Sequence, residues 1–134
     1  MSRRQEREAI FLLLFEKCFN LQDELELIIE NAQDARDFKS NPNILTKTKA
    51  ILENSSKLDE FIEKHLKNWT KNRISKVALC VLRIAVFEIL NEKETPENVS
   101  INEAVEITKY YSTKDDAAFV NGVLGSFVKE QIKQ

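Results

Sequence analysis

The chain has 134 residues, a formal net charge of −2 at pH 7, 31% charged residues, and only two glycines and two prolines. This length is typical of a single domain with a real hydrophobic core, and the composition favours helices joined by short connections. A net charge this close to zero excludes a global attraction to nucleic acid, so any RNA or DNA site has to be a local patch. Cys18 and Cys80 are isolated, without CxxC spacing, and indicate small buried side chains in a reducing cytosol.

The N-terminal segment predicts a first helix over residues 3–19. Beside its main apolar face, Phe11, Phe15 and Phe19 form a second stripe at four-residue spacing. Either the helix is buried on both sides, or Phe15 and Phe19 face a partner protein, since exposed apolar patches mark interaction sites. The apolar run IFLLLF within this segment is too short for a secretory signal.

Arg3, Arg4 and Arg7 share one face at the start of this helix. Cations at a helix N-terminus oppose the helix dipole, at a cost of about 0.3–1 kcal/mol each. Three arginines beside the free backbone N–H groups of a first turn can form a phosphate site. The alternative is a solvated terminus in which Arg4 and Glu8 form an ordinary ion pair.

The middle of the chain predicts further helices. Residues 22–39 carry an apolar stripe on one side and an acidic face on the other, which repels nucleic acid. Asn41 and Pro42 predict the next helix start, with asparagine as the N-cap, and the NSS run at 54–56 breaks or bends that helix. His65, the only histidine, lies on the apolar stripe that follows. We predict that it is a hydrogen-bonded core residue, rather than a metal ligand or a catalytic base.

The run ISKVALCVLRIAVFEIL, residues 74–90, predicts the helix around which the fold is organised. It is apolar nearly all round, which indicates a buried central helix, and it is shorter than the roughly 20 residues of a membrane span. Arg83 and Glu88 are five residues apart, so they cannot pair with each other as helix neighbours do. We therefore predict a separate partner within the fold for each charge.

The C-terminal third predicts two more helices. The SINE run at 100–103 fits a capping box, which would start the first of them at the serine. Thr113 is the predicted N-cap of the last helix. Gly122 and Gly125 inside that helix cost about 1 kcal/mol each relative to alanine, and the predicted compensation is the close approach of another helix.

The sequence lacks the motifs that carry catalysis. It has no glycine-rich phosphate loop, no metal-ligand cluster and no Ser/His or Cys/His constellation. We predict no catalytic residue, no metal and no cofactor, and composition and periodicity alone lead only to a helical interaction module.

Three stretches resemble the NusB family of transcription antitermination factors. They are SRRQERE at 2–8, VLRIAVFEIL at 81–90 and SINEAVEITKYYSTKDDAAFVNGVLG at 100–125. Their order and spacing fit the whole chain. The resemblance implies an all-α fold, a compact bundle of about seven helices in two halves packed around a central buried helix at about 74–91.

The same resemblance implies a single RNA-binding domain, residues 1–134, with halves at about 1–72 and about 73–134. It implies a non-enzymatic, cytoplasmic factor, monomeric or homodimeric and without a membrane role. NusB-like proteins bind the boxA element of nascent rRNA transcripts together with NusE, a small-subunit ribosomal protein. Within the RNA polymerase antitermination complex they help the polymerase to read through terminators.

The family's binding residues carry over to positions of this chain. The predicted RNA-binding residues are Arg3, Arg4, Arg7, Tyr111, Lys114, Asp115 and Phe119. The predicted NusE-binding residues are Phe15, Phe19, Ala78 and Leu82. Arginines on phosphates and aromatic rings on bases suit single-stranded RNA, and stacking contributes about 1–3 kcal/mol per base. Ala78 stands where the family often has an acidic residue, so an interface salt bridge is absent from this chain.

Two other functions fit parts of the pattern. One is a helical protein–protein adaptor without an RNA role, which predicts weak, salt-insensitive RNA binding. The other is the NusB-like accessory domain of an RNA cytosine methyltransferase. That enzyme needs a following cofactor-binding domain, and no glycine-rich loop is present in this sequence.

Overall fold

The computed structural model describes residues 2–19, 27–28, 41–66 and 74–133. These ranges contain six helices and no strand, which confirms the all-α prediction. The helices are α1 Arg3–Phe19, α2 Pro42–Glu53, α3 Ser55–Glu63, α4 Lys76–Asn91, α5 Glu97–Tyr111 and α6 Lys114–Lys133. The helix predicted at 22–39 lies outside the described residues except for 27 and 28, which are helical. In the described ranges no helix is long and apolar enough to cross a membrane.

The chain forms two compact units, Met1–Asn54 and Ser55–Gln134. The family resemblance implies halves that divide near residue 72, with α3 in the N-terminal one, and that division stays a prediction. In the structure α3 belongs to the C-terminal unit, because it packs against α4 and α6. That the chain is a single domain stays a prediction.

In the first unit, α1 packs against α2. The buried face of α1 consists mainly of Ala9, Ile10, Phe11, Leu13 and Leu14. The predicted start of α2 is confirmed, because Asn41 Oδ1 accepts a hydrogen bond from Asn43 N at 3.1 Å and Pro42 follows the cap. The Asn41 amide also donates to Glu6 Oε1 at 2.9 Å, which ties this helix start to the first turns of α1.

In the second unit, α4 packs against α3, α5 and α6, as expected for a central helix. Both of its charges have partners. The guanidinium of Arg83 donates two hydrogen bonds of 2.8 Å to the carboxylate of Asp59 on α3. The buried Glu88 accepts a hydrogen bond of 2.9 Å from Ser100 Oγ on α5. The prediction that the two charges find separate partners is confirmed.

The predicted capping box at 100–103 is wrong. Helix α5 begins earlier, at Glu97, with Pro96 at the N-cap position and without a side-chain cap. The backbone N–H of Ser100 already donates to Pro96 O at 3.3 Å, so this serine lies inside the helix. Its hydroxyl is buried and donates to Glu88, because a buried carboxylate gains more from a donor than a solvated helix start gains from a cap.

The start of α6 is confirmed, but the predicted role of its glycines is wrong. Asp116 N donates to Thr113 Oγ1 at 3.0 Å, so this threonine is the N-cap. A Cβ atom added at Gly122 or Gly125 would meet nothing within 4 Å. Among the helices that the structure describes, none therefore approaches closely enough to require glycine.

Alanine at Gly122 or Gly125 is therefore expected to raise the free energy of unfolding by about 0.5–1 kcal/mol for each substitution. Both positions are inside a helix with open space around them, so the gain in helix propensity meets no steric cost. Urea denaturation measures the change. The reverse substitution at an exposed alanine of the same helix, Ala118→Gly, is expected to lose a similar amount. A destabilised Gly122→Ala or Gly125→Ala variant would contradict the prediction.

Candidate nucleic-acid interface

The three predicted arginines begin α1 but differ in accessibility. Arg3 and Arg4 are exposed, whereas Arg7 keeps only 7% of its surface exposed. Arg3 and Arg4 therefore offer their side chains to a ligand in solution, and Arg7 lies largely inside the fold.

A capping box that the sequence analysis missed closes the start of α1. Ser2 Oγ accepts a hydrogen bond from Gln5 N at 3.1 Å, and Gln5 Oε1 accepts one from Ser2 N at 2.8 Å. Glu6 N donates to Ser2 O at 2.9 Å. The N–H groups of Ser2, Gln5 and Glu6 are thus occupied within the chain, so none of these three is available to an anion. The S-x-x-Q spacing of the SRRQ run is the signal that could have revealed it.

The other predicted RNA-binding residues lie at what we name the α5–α6 corner, residues 109–119. Tyr111 ends α5, and Lys114 and Asp115 begin α6. The two charged side chains are exposed, and Tyr111 and Phe119 are half-buried. Asp115 and Phe119 are four residues apart in α6 and therefore share a face. The structure thus places four predicted residues on two helix ends joined by a short turn.

Asp116 anchors this corner to the start of α4. Ser75, the N-cap of α4, accepts from Ala78 N at 3.0 Å and donates through its hydroxyl to Asp116 Oδ2 at 2.8 Å. Ser112 Oγ donates to the same carboxylate oxygen. One carboxylate therefore joins the α5–α6 turn to a second helix start. The sequence does not reveal this contact, since Ser75 and Asp116 are far apart in the chain.

The side chains of the predicted partner surface on α1 become more exposed along the helix, from the core towards solvent. Phe11 is buried, and its ring stacks on that of Phe15 with centroids 5.7 Å apart. Phe15 is half-buried and meets Phe19 edge to face at 5.0 Å, and Phe19 is 60% exposed. Leu12, also exposed, lies on the same side of the helix at three- and seven-residue spacing. We name Leu12, Phe15 and Phe19 the α1 apolar patch.

Ala78 and Leu82 do not belong to an accessible surface. Both side chains are 0% exposed within the chain. They offer no atoms to a partner in this structure, and their predicted contact with NusE is corrected to packing in the interior. The reason is their position on α4, most of whose residues from Ala78 to Ile89 are buried.

His65, which the sequence predicts to be a core residue, has both ring nitrogens engaged. Nδ1 lies 2.7 Å from Ser126 Oγ and Nε2 lies 2.7 Å from Glu130 Oε2, both on α6. A serine, a histidine and a carboxylate in this order resemble a hydrolase triad, but the imidazole is only 8% exposed and is closed to a substrate. The structural prediction for His65 is confirmed. Within the described ranges no group of three or more His, Cys, Asp or Glu side chains could hold a metal ion.

Comparison with known proteins shows one family. The NusB family model matches residues 4–129. Transcription antitermination protein NusB of Clostridium botulinum (strain Alaska E43 / Type E3) is 42% identical over 134 residues, which cover 97% of this chain and 100% of that protein.

Two solved structures resemble this fold. NusB of T. maritima superposes with a TM-score of 0.87 at 40% identity, covering 97% of this chain and 92% of that chain. A structure of antitermination factors NusB and NusE in complex with dsRNA has a TM-score of 0.75 at 22% identity, covering 97% and 99%, and shares the fold. The family match over nearly the whole sequence, together with the identity to the clostridial protein, establishes that this chain belongs to the NusB family.

Proposed function

We propose that this chain is a cytoplasmic, non-enzymatic transcription antitermination factor. It binds boxA-type single-stranded RNA of nascent rRNA transcripts together with NusE, as part of the RNA polymerase antitermination complex. The observation that carries the proposal is the α5–α6 corner, where the half-buried Tyr111 and Phe119 and the exposed Lys114 and Asp115 occur within nine residues at two joined helix ends. Relatives named transcription antitermination protein NusB, matched over their full length, support it.

The chemistry of the corner suits unpaired nucleotides. Half-buried aromatic rings can stack on bases whose faces are free, and an exposed lysine can pair with a phosphate. Asp115 can accept hydrogen bonds from base amino groups, which adds discrimination between bases. Because Asp116 ties the corner to α4, the RNA meets a surface whose backbone is already ordered.

The arginines contribute the phosphate contacts. Arg3 and Arg4 are exposed and start a capped helix, so their side chains project from an ordered backbone. Arg7 is mostly buried, and a phosphate contact from it requires the ligand to reach its remaining exposed edge. In this proposal Arg3 and Arg4 bind more strongly than Arg7.

The α1 apolar patch is the proposed NusE surface. Phe19 and Leu12 expose apolar area that a partner protein would bury, and Phe15 links them to the buried Phe11. The structure of NusB and NusE bound to dsRNA shows that a protein of this fold binds such a partner. A homodimer through the same patch is the competing state of the free protein.

The test is a titration of fluorescently labelled boxA-type RNA, with and without NusE, at two salt concentrations. Phe119→Ala is expected to weaken binding about 5- to 150-fold, the equivalent of one lost stacking contact. The double variant Arg3→Ala/Arg4→Ala is expected to weaken binding and to reduce the slope of log K against log salt by about 1.4, or 0.7 for each lost phosphate contact. NusE is expected to tighten binding of the parent protein.

Lys129→Ala is the matched control. This exposed lysine lies on α6 about 22 Å along the helix from Lys114, so its removal changes net charge without touching the corner. Binding that is weak, indifferent to NusE and equal in parent, Phe119→Ala and the double arginine variant would refute the proposal. It would leave the chain as a helical adaptor without an RNA role.

A further inference from the structure

Tyr110, in the last turn of α5, is an exposed aromatic residue without a role in the proposed site. It is 80% exposed, the highest value among the exposed large hydrophobic residues of the described ranges. Isolated apolar residues at a protein surface are common. Tyr110 differs from them because aromatic and cationic residues lie close to it in the sequence.

The ring of Tyr110 contacts the ring of Tyr111. Their centroids are 4.8 Å apart and the ring planes are inclined at 71°, an edge-to-face arrangement. This contact favours one orientation of the exposed ring, so the ring loses less side-chain entropy when a planar ligand stacks on it. Tyr110 is therefore an oriented ring beside a residue of the proposed RNA site.

Lysines lie on both sides of Tyr110 in the sequence. Lys109 is exposed, with its Nζ atom 3.6 Å from Glu106 Oε1, a weak contact that an arriving phosphate can replace. Lys114 is exposed on the far side of the turn. Aromatic rings interleaved with cations are the composition of surfaces that bind single-stranded nucleic acid, and a protein-binding apolar patch does not require the lysines.

We propose that Tyr110 is a further RNA-contacting residue, which stacks on an unpaired base adjacent to the nucleotide bound at Tyr111 and Phe119. The inference rests on the proposed function and extends its footprint by one nucleotide along the end of α5. The centroids of the two tyrosine rings are 4.8 Å apart and their planes are inclined at 71°, so two bases that stack on them are not parallel to each other. Neighbouring nucleotides of one strand can reach both rings when their bases are unstacked and splayed apart, as in the single-stranded segments that proteins recognise. Because every base has an aromatic face, this contact is tolerant of sequence.

The experiment pairs variants at Tyr110 with a set of boxA-type RNAs, each of which lacks one base. Tyr110→Ala is expected to weaken binding of the intact RNA about 5-fold or more, and Tyr110→Phe to bind like the parent, since stacking does not need the hydroxyl. With the RNA that lacks the base stacked on Tyr110, Tyr110→Ala is expected to bind as the parent does. With RNAs that lack other bases it keeps its defect. This loss of the effect on one RNA alone is a signature that a structural role of Tyr110 would not produce.

Val99→Ala is the matched control, an exposed apolar residue on the same helix about 16 Å from Tyr110. Parent-like binding by Tyr110→Ala, while Phe119→Ala is weakened, would overturn the role of Tyr110 and leave the proposed function intact. Unchanged binding by both variants would refute the proposed function itself. A Tyr110→Ala defect of equal size on every RNA, or one confined to NusE binding, would also overturn the inference.

Discussion

Asp59→Ala is expected to lower the free energy of unfolding by about 3–5 kcal/mol, the largest effect that we predict for a single substitution. The Asp59 carboxylate accepts two hydrogen bonds from Arg83, each 2.8 Å long, and joins α3 to α4. The side chains are 9% and 16% exposed. Alanine leaves the guanidinium without this partner in a place that water reaches poorly. Urea denaturation followed by circular dichroism measures the loss.

Two controls separate the lost partner from other effects of the substitution. The double variant Asp59→Leu/Arg83→Met replaces both charges with apolar groups of similar size, and we expect it to recover most of the loss, because neither charge remains buried alone. Glu106→Ala removes one side of an exposed pair with Lys109, and is expected to change stability by no more than about 0.5 kcal/mol. A cost below about 1 kcal/mol for Asp59→Ala, or a double variant no more stable than the single one, would contradict the prediction.

The features that sequence predicted well are local. Helix starts at Asn41 and Thr113 depend on a side chain and a backbone N–H two or three residues away, so their pattern is visible in the sequence. The helix α4 could also be predicted from the sequence, because its apolar residues recur with helical spacing over the whole of its length.

The features that sequence missed depend on distant partners. The sequence pattern predicts that the hydroxyl of Ser100 caps a helix. In the structure it donates to Glu88, twelve residues earlier in the chain. Ser75 and Asp116 are 41 residues apart and meet only in the folded unit. A local pattern shows what a side chain could bind, and the packing of helices decides which of its possible partners is near.

At the candidate site too, some features could be predicted from the sequence and others depend on how the chain folds. The resemblance to the NusB family supplied positions for RNA and partner contacts, and the structure leaves most of them accessible. Ala78 and Leu82 are the exceptions. The sequence already indicated that they are buried, because both belong to the apolar residues that recur with helical spacing in α4. Tyr110 was passed over for the opposite reason, since periodicity does not report how far a ring at a helix end projects into solvent.

Ser100→Ala is expected to lower the free energy of unfolding by about 1–3 kcal/mol, the usual cost of removing one partner of a buried hydrogen bond. The Ser100 hydroxyl donates to Glu88 Oε1 at 2.9 Å, and both side chains are buried. The bond joins α4 to α5, the helix that carries Tyr110 and Tyr111 at its other end. Thermal and urea denaturation of the variant measure the loss.

A double-mutant cycle isolates the contact. In the background of Glu88→Met the carboxylate is absent, so Ser100→Ala is expected to cost much less than in the parent chain, with a coupling free energy above about 1 kcal/mol. Equal costs of Ser100→Ala in the two backgrounds would show that the hydroxyl acts elsewhere and would contradict the prediction. RNA binding provides a second, independent readout. Since Ser100 is buried and lies about 15 Å along α5 from the aromatic pair, a folded Ser100→Ala protein is expected to bind boxA-type RNA like the parent. The stability of α5 can therefore be altered separately from the surface that it presents.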